Sequence, residues 1–412
     1  MKIKLGINSF LIGFLIFLIG LYIFPESTKF FVMIFLFFIL LSFIFQGKYM
    51  LHTYMVVPWI IYVLLNLITI PFSYSNFSDA IEIIVSILIF LLLIGMDYNK
   101  KLIKKTFMCL NFFYIIVILG CFLQIFFPEL LININKLTLG SEKYQIFYMF
   151  YRGKNLVGFS YQTAVTGFYL TLFAGYLSVY LFSNANEILW KKIIALIILI
   201  MLLIMIFYTG KRIFIILSIL GISIICSVYN KKHFFKILLC IIALVIGIWL
   251  LLNNTSYGLK ILTRSLVSDP TTGRSKINAF LIQCFQEKPI LGNGIGSTLT
   301  LLKKYQNGHN VYLQLLSESG IVGLGLAIYS FIYSLRKSIK LLKNNKINKD
   351  EKNIITFCLF VQIIFLGWCL TGNPFYDIYP LMIYMICNGI VLNLSTKNME
   401  EKDENSNIDS LL

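Results

Sequence analysis

Charged residues are scarce in this sequence. Asp, Glu, Lys and Arg together make up 13% of the 412 residues, whereas 58% are hydrophobic and the mean hydropathy is +0.84. A soluble domain needs roughly 25% charged residues to cover its surface, so the composition excludes that class of protein. Lipid offers the backbone no hydrogen-bond partner, and apolar runs of about 17–25 residues therefore cross a bilayer as helices. The composition predicts an all-α polytopic membrane protein, with residues 1–412 forming a single integral membrane domain.

Several kinds of chemistry lack the residues they need. Of the three histidines, His52, His233 and His309, only the last falls on the predicted outer side, so no outer histidine cluster exists to hold zinc. No paired outer carboxylates suggest a magnesium-diphosphate site, and neither a Walker phosphate loop nor a serine nucleophile elbow is present. Seven of the eight cysteines lie in predicted spans, which excludes an external disulfide framework. We therefore expect no metal and no cofactor.

Long apolar runs, by contrast, are abundant. The predicted spans are 7–24, 29–45, 53–71, 80–96, 106–128, 161–182, 192–208, 213–229, 234–252, 320–336, 354–372 and 378–394. The first run is followed by more of the same kind, which predicts a membrane anchor and not a cleaved signal peptide. The sequence thus predicts about twelve transmembrane helices.

The distribution of Lys and Arg predicts the orientation of these spans, because cytoplasmic loops are enriched in both residues. Clusters of them occur at 2–4, 100–105, 191–192, 231–236 and 336–352. All of these fall on one side of the membrane if the N-terminus is inside, and the short loops on the other side are nearly uncharged. We predict that both termini are cytoplasmic and that the polar segment 395–412 is a disordered cytoplasmic tail.

Two predicted outer segments, about 129–160 and 253–309, are longer than ordinary connectors, and long loops usually carry function. The second has seven basic residues against two acidic ones. This charge does nothing for topology and has two explanations: attraction to anionic lipid headgroups, or binding of a phosphate-bearing ligand. We predict that the long extracytoplasmic loop at 253–309 carries the functional site.

Part of this loop is predicted to be helical. From Arg274 onward, apolar residues follow the spacing of one helix face as far as Phe285, and Pro289 ends the pattern. Arg274 would lie in the first turn, where backbone N–H groups and a guanidinium together suit an anion. The glycines of GNGIG at 292–296 resemble a nucleotide phosphate loop, but no strand precedes them, so they predict a tight turn.

Four residues carry alternative interpretations. His309, before the helix N-cap Asn310, is either part of the cap or a general base, since a neutral imidazole has a pKa of about 6.5. Arg212 in YTGKR either extends to the lipid headgroups or binds an anion. Arg274 either binds an anion or is an ordinary solvated charge of the loop. Glu318 near the outer boundary either pairs with an arginine, orients His309 or is exposed to water.

Taken together, these features resemble the family of O-antigen ligases and Wzy-type polymerases. An arginine in a short outer turn is matched by TGKR with Arg212, and a Gly-Arg pair in a long outer loop is matched by TTGR with Arg274. A His-Asn pair before a helix and a Gly-Ile/Val-Gly step are matched by HNVYLQLLSESGIVG with His309. The resemblance implies a multi-pass, GT-C-like glycosyltransferase of the bacterial inner (cell) membrane, with its active site facing the periplasm or outside.

The resemblance further implies metal-independent, inverting glycosyl transfer from a glycan linked through pyrophosphate to undecaprenol. His309 would take the proton of the attacking hydroxyl, and Arg212 and Arg274 would stabilise the departing pyrophosphate. The residues predicted to bind substrate are Lys211, Glu318, Arg264, Lys276, Asn310 and Tyr312. The predicted partners are the lipid-linked glycan as donor and acceptor, the bilayer, a chain-length regulator and a flippase; no nucleic acid is expected.

Several functions remain open from the sequence. The first is a polymerase that joins lipid-linked repeat units into O-antigen or capsular polysaccharide. The second is a ligase that passes the finished glycan to a lipid A-core acceptor, which uses the same donor chemistry. A flippase for lipid-linked oligosaccharide is a different class, but such transporters carry charge near the membrane midplane, where this chain has little. A membrane scaffold would tolerate His309→Ala.

Overall fold

The computed structural model describes residues 7–24, 29–47, 49–50, 52–183, 188–229, 274–302, 308–344 and 346–409, and isolated positions between 239 and 250. These ranges hold helices and connecting segments, and no strand occurs in them. The helices before the first long predicted loop are α1 (Ile7–Ile23), α2 (Lys29–Phe45), α3 (Thr53–Thr69), α4 (Phe77–Ile94) and α5 (Lys100–Phe126). They are followed by α6 (Pro128–Thr138), α7 (Ser141–Arg152), α8 (Thr163–Ser183), α9 (Leu189–Tyr208) and α10 (Arg212–Tyr229). The last are α11 (Arg274–Glu287), α12 (Ser297–Leu301), α13 (Val311–Leu342), α14 (Lys349–Cys369) and α15 (Ile378–Asp409).

Nine helices in the described ranges are long and apolar enough to cross a membrane. Helices α1 and α2, at the positions of the first two predicted spans, are apolar and 17 residues long. The span predicted at 234–252 lies almost entirely outside the described residues. The prediction of an all-α polytopic membrane protein is confirmed, because long apolar helices account for the fold wherever the chain is described.

The chain divides into two compact units. The first unit comprises Met1–Phe10, Leu36–Lys105 and Lys276–Leu412, and the second comprises Leu11–Phe35 and Thr106–Ser275. In the first unit α15 is the central helix, with 94% of its most apolar window buried, and α4, α13 and α14 pack against it. Helix α3 packs along α13 and α4.

Helix α13 is broken at Gly320, where φ is 65° and ψ is −168°. The segment before α12 repairs the break: Gly294 N–H donates to the Glu318 carbonyl at 2.8 Å, and Ile321 N–H donates to the Pro289 carbonyl at 2.9 Å. A Cβ at position 320 would collide with the Ile290 carbonyl, so only glycine fits there. Backbone groups inside a membrane protein must be paired, and this docked segment pairs the groups that the kink releases.

In the second unit α8 packs against α9 and α10. The rings of Tyr22, Phe113 and Tyr169 form an edge-to-face cluster, with centroids 4.6–5.9 Å apart. The connection from α7 to α8 is tied to the end of α9, because Leu156 N–H donates to the Tyr208 carbonyl at 2.7 Å. This bond brings the α7–α8 connection to the turn that carries Arg212.

The C-terminal helix is longer than its apolar part. The sequence predicts a span at 378–394 followed by a disordered tail at 395–412, and the structure continues α15 to Asp409. Three residues beyond the predicted span, Lys397 Nζ and Asp97 Oδ1 form an ion pair at 3.0 Å, with both side chains partly exposed. This pair holds the end of the buried helix to the connection between α4 and α5.

Candidate functional site

His309 lies in the turn that opens α13, and its backbone conformation is unusual. Its φ is +56°, and its side chain is exposed. Left-handed backbone of this kind costs a non-glycine residue about 1–2 kcal/mol, so the surroundings must hold it. On one side the Asn310 side chain accepts a hydrogen bond from Leu313 N–H at 3.1 Å, as predicted for the N-cap. On the other side Gly308 N–H donates to Gln314 Oε1 at 2.8 Å.

The glycines of GNGIG make the tight turn that the sequence predicts. Gly292, Gly294 and Gly296 all have positive φ, at 72°, 97° and 78°. A Cβ on Gly292 would collide with the backbone of Glu318, so the loop approaches α13 more closely than a side chain allows. Asn293 Nδ2 donates to the Cys284 carbonyl at 2.8 Å and thereby ties the turn to α11. The turn therefore packs closely against α13 and is held to α11 by a hydrogen bond.

Glu318 is completely buried, with 0% of its surface exposed. Its Oε1 accepts from Gln314 Nε2 at 2.9 Å and from Thr298 N–H at 3.4 Å, and its Oε2 accepts from the Tyr376 hydroxyl at 2.8 Å. The water-exposed alternative for Glu318 is therefore wrong. Its partners in the described part of the chain are neutral, so no arginine among those residues pairs with it. The alternative that Glu318 orients His309 fits this geometry.

Gln314, also 0% exposed, connects Glu318 to the His309 turn. Its Oε1 accepts from Gly308 N–H and from Asn373 Nδ2, at 2.8 and 2.9 Å. We call Gln314, Glu318, Asn373 and Tyr376 the Glu318 network. Sequence reasoning missed Asn373 and Tyr376, which lie between α14 and α15 in TGNPFYD. Polar residues around a proline between two spans were the available signal.

Tyr376 is held as a hydrogen-bond donor. Burial, followed by the nearby Glu318 carboxylate, raises the pKa of Tyr376 well above its ordinary value, so its hydroxyl keeps its proton. Tyr376 lies in a short 3-10 helix, Pro374–Tyr376, whose Phe375 ring stacks on Trp59 with centroids 5.6 Å apart. The packing of Phe375 thus fixes the direction in which its neighbour points.

Helix α11 begins at Arg274, where the sequence predicts a helix, and ends two residues before Pro289. Leu281 and Cys284 on its predicted apolar face are buried. Arg274, in the first turn of α11, is half-exposed, and Lys276 in the same turn is exposed. Arg274 and Ser275 belong to the second unit, and the rest of α11 belongs to the first.

Arg212 is the first residue of α10, in the second unit, and its side chain is exposed. Gly210 makes the sharp turn from α9 with φ of +72°, and half-exposed Lys211 follows it. The neighbouring α7–α8 connection is fixed by Gln124, whose Oε1 accepts from the backbone of Val157 and Gly158 at 2.8 and 2.9 Å. The arginine therefore projects from a firmly held turn.

The remaining predicted residues are placed as follows. Tyr312 donates its hydroxyl to the Leu366 carbonyl at 3.0 Å, which joins the start of α13 to α14. Arg264 lies outside the described residues. The first unit thus brings together His309, Asn310, Tyr312 and Glu318, while Arg212 and Lys211 belong to the second unit.

A comparison with protein families gives a match that covers the segment from α9 to α13. Residues 196–328 match a family model described as O-Antigen ligase, and the match includes Arg212, Arg274, His309 and Glu318. This segment is similar to the O-antigen ligase family. The predicted resemblance to the O-antigen ligases and polymerases is confirmed, and the family indicates a membrane glycosyltransferase-type enzyme. A comparison with curated proteins gives no match.

The matched segment starts within α9 and ends within α13, at residue 328. Asn373 and Tyr376, which complete the Glu318 network, therefore lie outside the matched segment. The polar network around the His309 turn is built jointly by the matched segment and by the connection between the last two helices.

Proposed function

We propose that the protein polymerises repeat units linked to undecaprenyl pyrophosphate into O-antigen or capsular polysaccharide, on the outer face of the bacterial inner (cell) membrane. The observation that carries this proposal is the left-handed, exposed His309 in a turn braced by buried polar side chains, within a segment that matches the O-antigen ligase family. Strained backbone that its surroundings hold in place is typical of functional sites. A merely solvated histidine would not need such a support.

In the proposed reaction His309 is the general base. A sugar hydroxyl is a weak nucleophile until its proton is removed, and an exposed neutral imidazole can accept that proton. The hydroxyl oxygen forms a bond to the anomeric carbon of the donor, and the bond from that carbon to the pyrophosphate oxygen breaks. The proton goes to His309, and the lipid pyrophosphate leaves with its negative charge. Attack from the face opposite the leaving group inverts the anomeric centre.

Arg212 and Arg274 are proposed to stabilise the leaving pyrophosphate. Each guanidinium offers paired N–H donors that match phosphate oxygens, and each stands in the first turn of a helix. The stabilisation grows as negative charge develops on the leaving group, so it favours the transition state over the bound substrate. Lys211, Lys276 and Arg264 would add positive charge to the surroundings of the lipid pyrophosphate.

The energy for transfer is proposed to come from the activated phosphate ester of the donor, without ATP or a metal ion. No group of three or more His, Cys, Asp or Glu side chains suited to a metal occurs among the described residues. The chelator test is direct: the rate of transfer by the purified protein should be unchanged by EDTA. A rate that falls with EDTA and recovers with magnesium would end the metal-independent proposal.

A ligase that transfers the finished glycan to lipid A-core is the second candidate, because the matched family model is described as O-Antigen ligase. The two activities share the donor and differ in the acceptor. Glycan analysis of a strain that lacks the protein separates them: single repeat units indicate the loss of a polymerase, and long chains left on undecaprenol indicate the loss of a ligase. Normal surface glycan in that strain would contradict both.

A further inference from the structure

The Glu318 network joins the connection between α14 and α15 to the turn that carries His309. Tyr376 donates to Glu318 Oε2 at 2.8 Å, and Gln314 Nε2 donates to Glu318 Oε1 at 2.9 Å. Gln314 Oε1 then accepts from Gly308 N–H at 2.8 Å. The residue that follows Gly308 is His309, so three consecutive hydrogen bonds lead from Tyr376 to the backbone beside the proposed base.

The Glu318 carboxylate determines which group donates and which accepts in each of these three hydrogen bonds. Gln314 has one amide oxygen and one amide nitrogen, and only the nitrogen can donate to Glu318. Its oxygen therefore faces the opposite way, toward Gly308 N–H and Asn373 Nδ2. If Glu318 were replaced by a group that cannot accept, the Gln314 amide would lose the interaction that selects its orientation. The acceptor for Gly308 N–H would then no longer be fixed.

The burial of Glu318 indicates that this orientation is its role. Removing water from a carboxylate with 0% exposure and only neutral partners among the described residues is unfavourable. Three donors, from Gln314, Thr298 and Tyr376, offset part of that cost. Its oxygens are occupied by protein groups, so Glu318 acts on the reaction through its neighbours and not by contact with the sugar.

We propose that Tyr376 and Asn373 are positioning residues that act through Glu318 and Gln314 to hold the His309 turn in its left-handed conformation. This proposal rests on the proposed function of His309 as a base. Asn373 shares the acceptor of Gly308 N–H, and Tyr376 fixes the far side of the carboxylate. The result is a turn that presents the imidazole in one place despite its unfavourable φ of +56°.

The proposal is tested with Tyr376→Phe in the full-length protein, reconstituted in bilayer nanodiscs. Transfer to an acceptor glycan is measured with a synthetic undecaprenyl-pyrophosphate-linked donor, and amide hydrogen exchange is measured at Gly308 and the residues after it. The matched control is Tyr98→Phe, because the buried Tyr98 hydroxyl also donates a 2.8 Å bond, to the Leu93 carbonyl at another place in the first unit. Each variant thus loses one hydroxyl and one hydrogen bond.

We expect Tyr376→Phe to lower kcat about tenfold with the donor KM unchanged, since a displaced base slows chemistry without weakening binding. Exchange at the Gly308 amide should become faster in that variant and stay unchanged in Tyr98→Phe. Glu318→Gln, whose amide oxygen can still accept from Gln314, should retain more activity than Glu318→Ala. This partial rescue distinguishes orientation from a simple loss of packing volume.

Two results would overturn the proposal. Equal behaviour of Tyr376→Phe and Tyr98→Phe in both measurements would show that the network does not hold the turn. Faster exchange at Gly308 with an unchanged kcat would show that the turn is held but does not matter to the rate. His309→Ala separates that second result from a failure of the proposed function. If His309→Ala is fully active, the assignment of His309 as the base is refuted. If His309→Ala is inactive, that assignment stands and only the positioning role is refuted.

Discussion

The His309 turn and the Arg212 turn are both short connections that open an apolar helix, yet they are supported differently. Buried side chains support the His309 turn, through Gln314 and the carboxylate of Glu318. Backbone geometry supports the Arg212 turn, through Gly210 and the bond from Leu156 to Tyr208. A general base must stand within hydrogen-bond reach of one proton, whereas a charge can stabilise a phosphate from a long, adaptable side chain. The difference in support follows this difference in proposed task.

Each unit contains one non-glycine residue with positive φ in its described part, His309 at +56° and Lys154 at +59°. Glycine accepts this backbone more easily, so His309→Gly and Lys154→Gly should each relieve about 1 kcal/mol of strain. His309→Gly should nevertheless lower the transfer rate by roughly 10²–10⁴, because the base is gone. Lys154→Gly should keep the rate. Transfer assays and thermal unfolding of the two variants are compared directly.

If His309→Gly keeps its activity, the assignment of His309 as the base is refuted. The same would follow if Lys154→Gly were as inactive as His309→Gly, since relief of backbone strain alone would then account for the loss. An amount of each variant in the membrane equal to wild type is the control for insertion.

The kink of α13 should be the next most sensitive feature. Gly320→Ala places a Cβ against the Ile290 carbonyl at a φ of +65°, so we expect about 2–3 kcal/mol of lost stability. Gly325→Ala is the matched control in the same helix, because nothing lies within 4 Å of its added Cβ. Alanine is the better helix former, so this variant should be neutral or more stable. Midpoints of thermal unfolding in nanodiscs give both values.

A midpoint for Gly320→Ala equal to that of Gly325→Ala would contradict this. The kink would then adapt at no cost, and the docking of the 289–294 segment would not require glycine at position 320.

The sequence predicted the long apolar helices of the described ranges because apolar runs and their ends are local properties, whereas it did not predict α6 and α7. It also predicted α11, the GNGIG turn and the Asn310 cap, which depend on residues only a few positions apart. It left three alternatives open for Glu318, because burial depends on what packs around a residue. It missed Asn373 and Tyr376, which are 59 and 58 positions from the residues they bind, Gln314 and Glu318.

The pairing of the backbone around Gly320 was hidden for a similar reason. The predicted span begins at this residue, and the structure has helix on both sides of it, with non-helical φ and ψ at Gly320 itself. A glycine with polar neighbours predicts an end as readily as a break. Only the docked segment at 289–294, which pairs the released backbone groups, distinguishes the two. Long-range pairing of this kind cannot be read from periodicity.

The smallest expected effect concerns the Arg212 turn, where the planar guanidinium of Arg212 is compared with a simple positive charge. Arg212→Lys keeps the positive charge but loses the planar fork, so we expect about a tenfold slower transfer with the turn intact. Lys211→Ala, one residue earlier, is the control, because it removes a charge without removing a fork and should change the rate by about twofold at most. Rates at low and high salt should separate the two, since screening weakens a point charge more than a bidentate contact. If Arg212→Lys is as active as wild type while Lys211→Ala is slow, net charge at the turn is what counts, and the specific role of the Arg212 guanidinium is refuted.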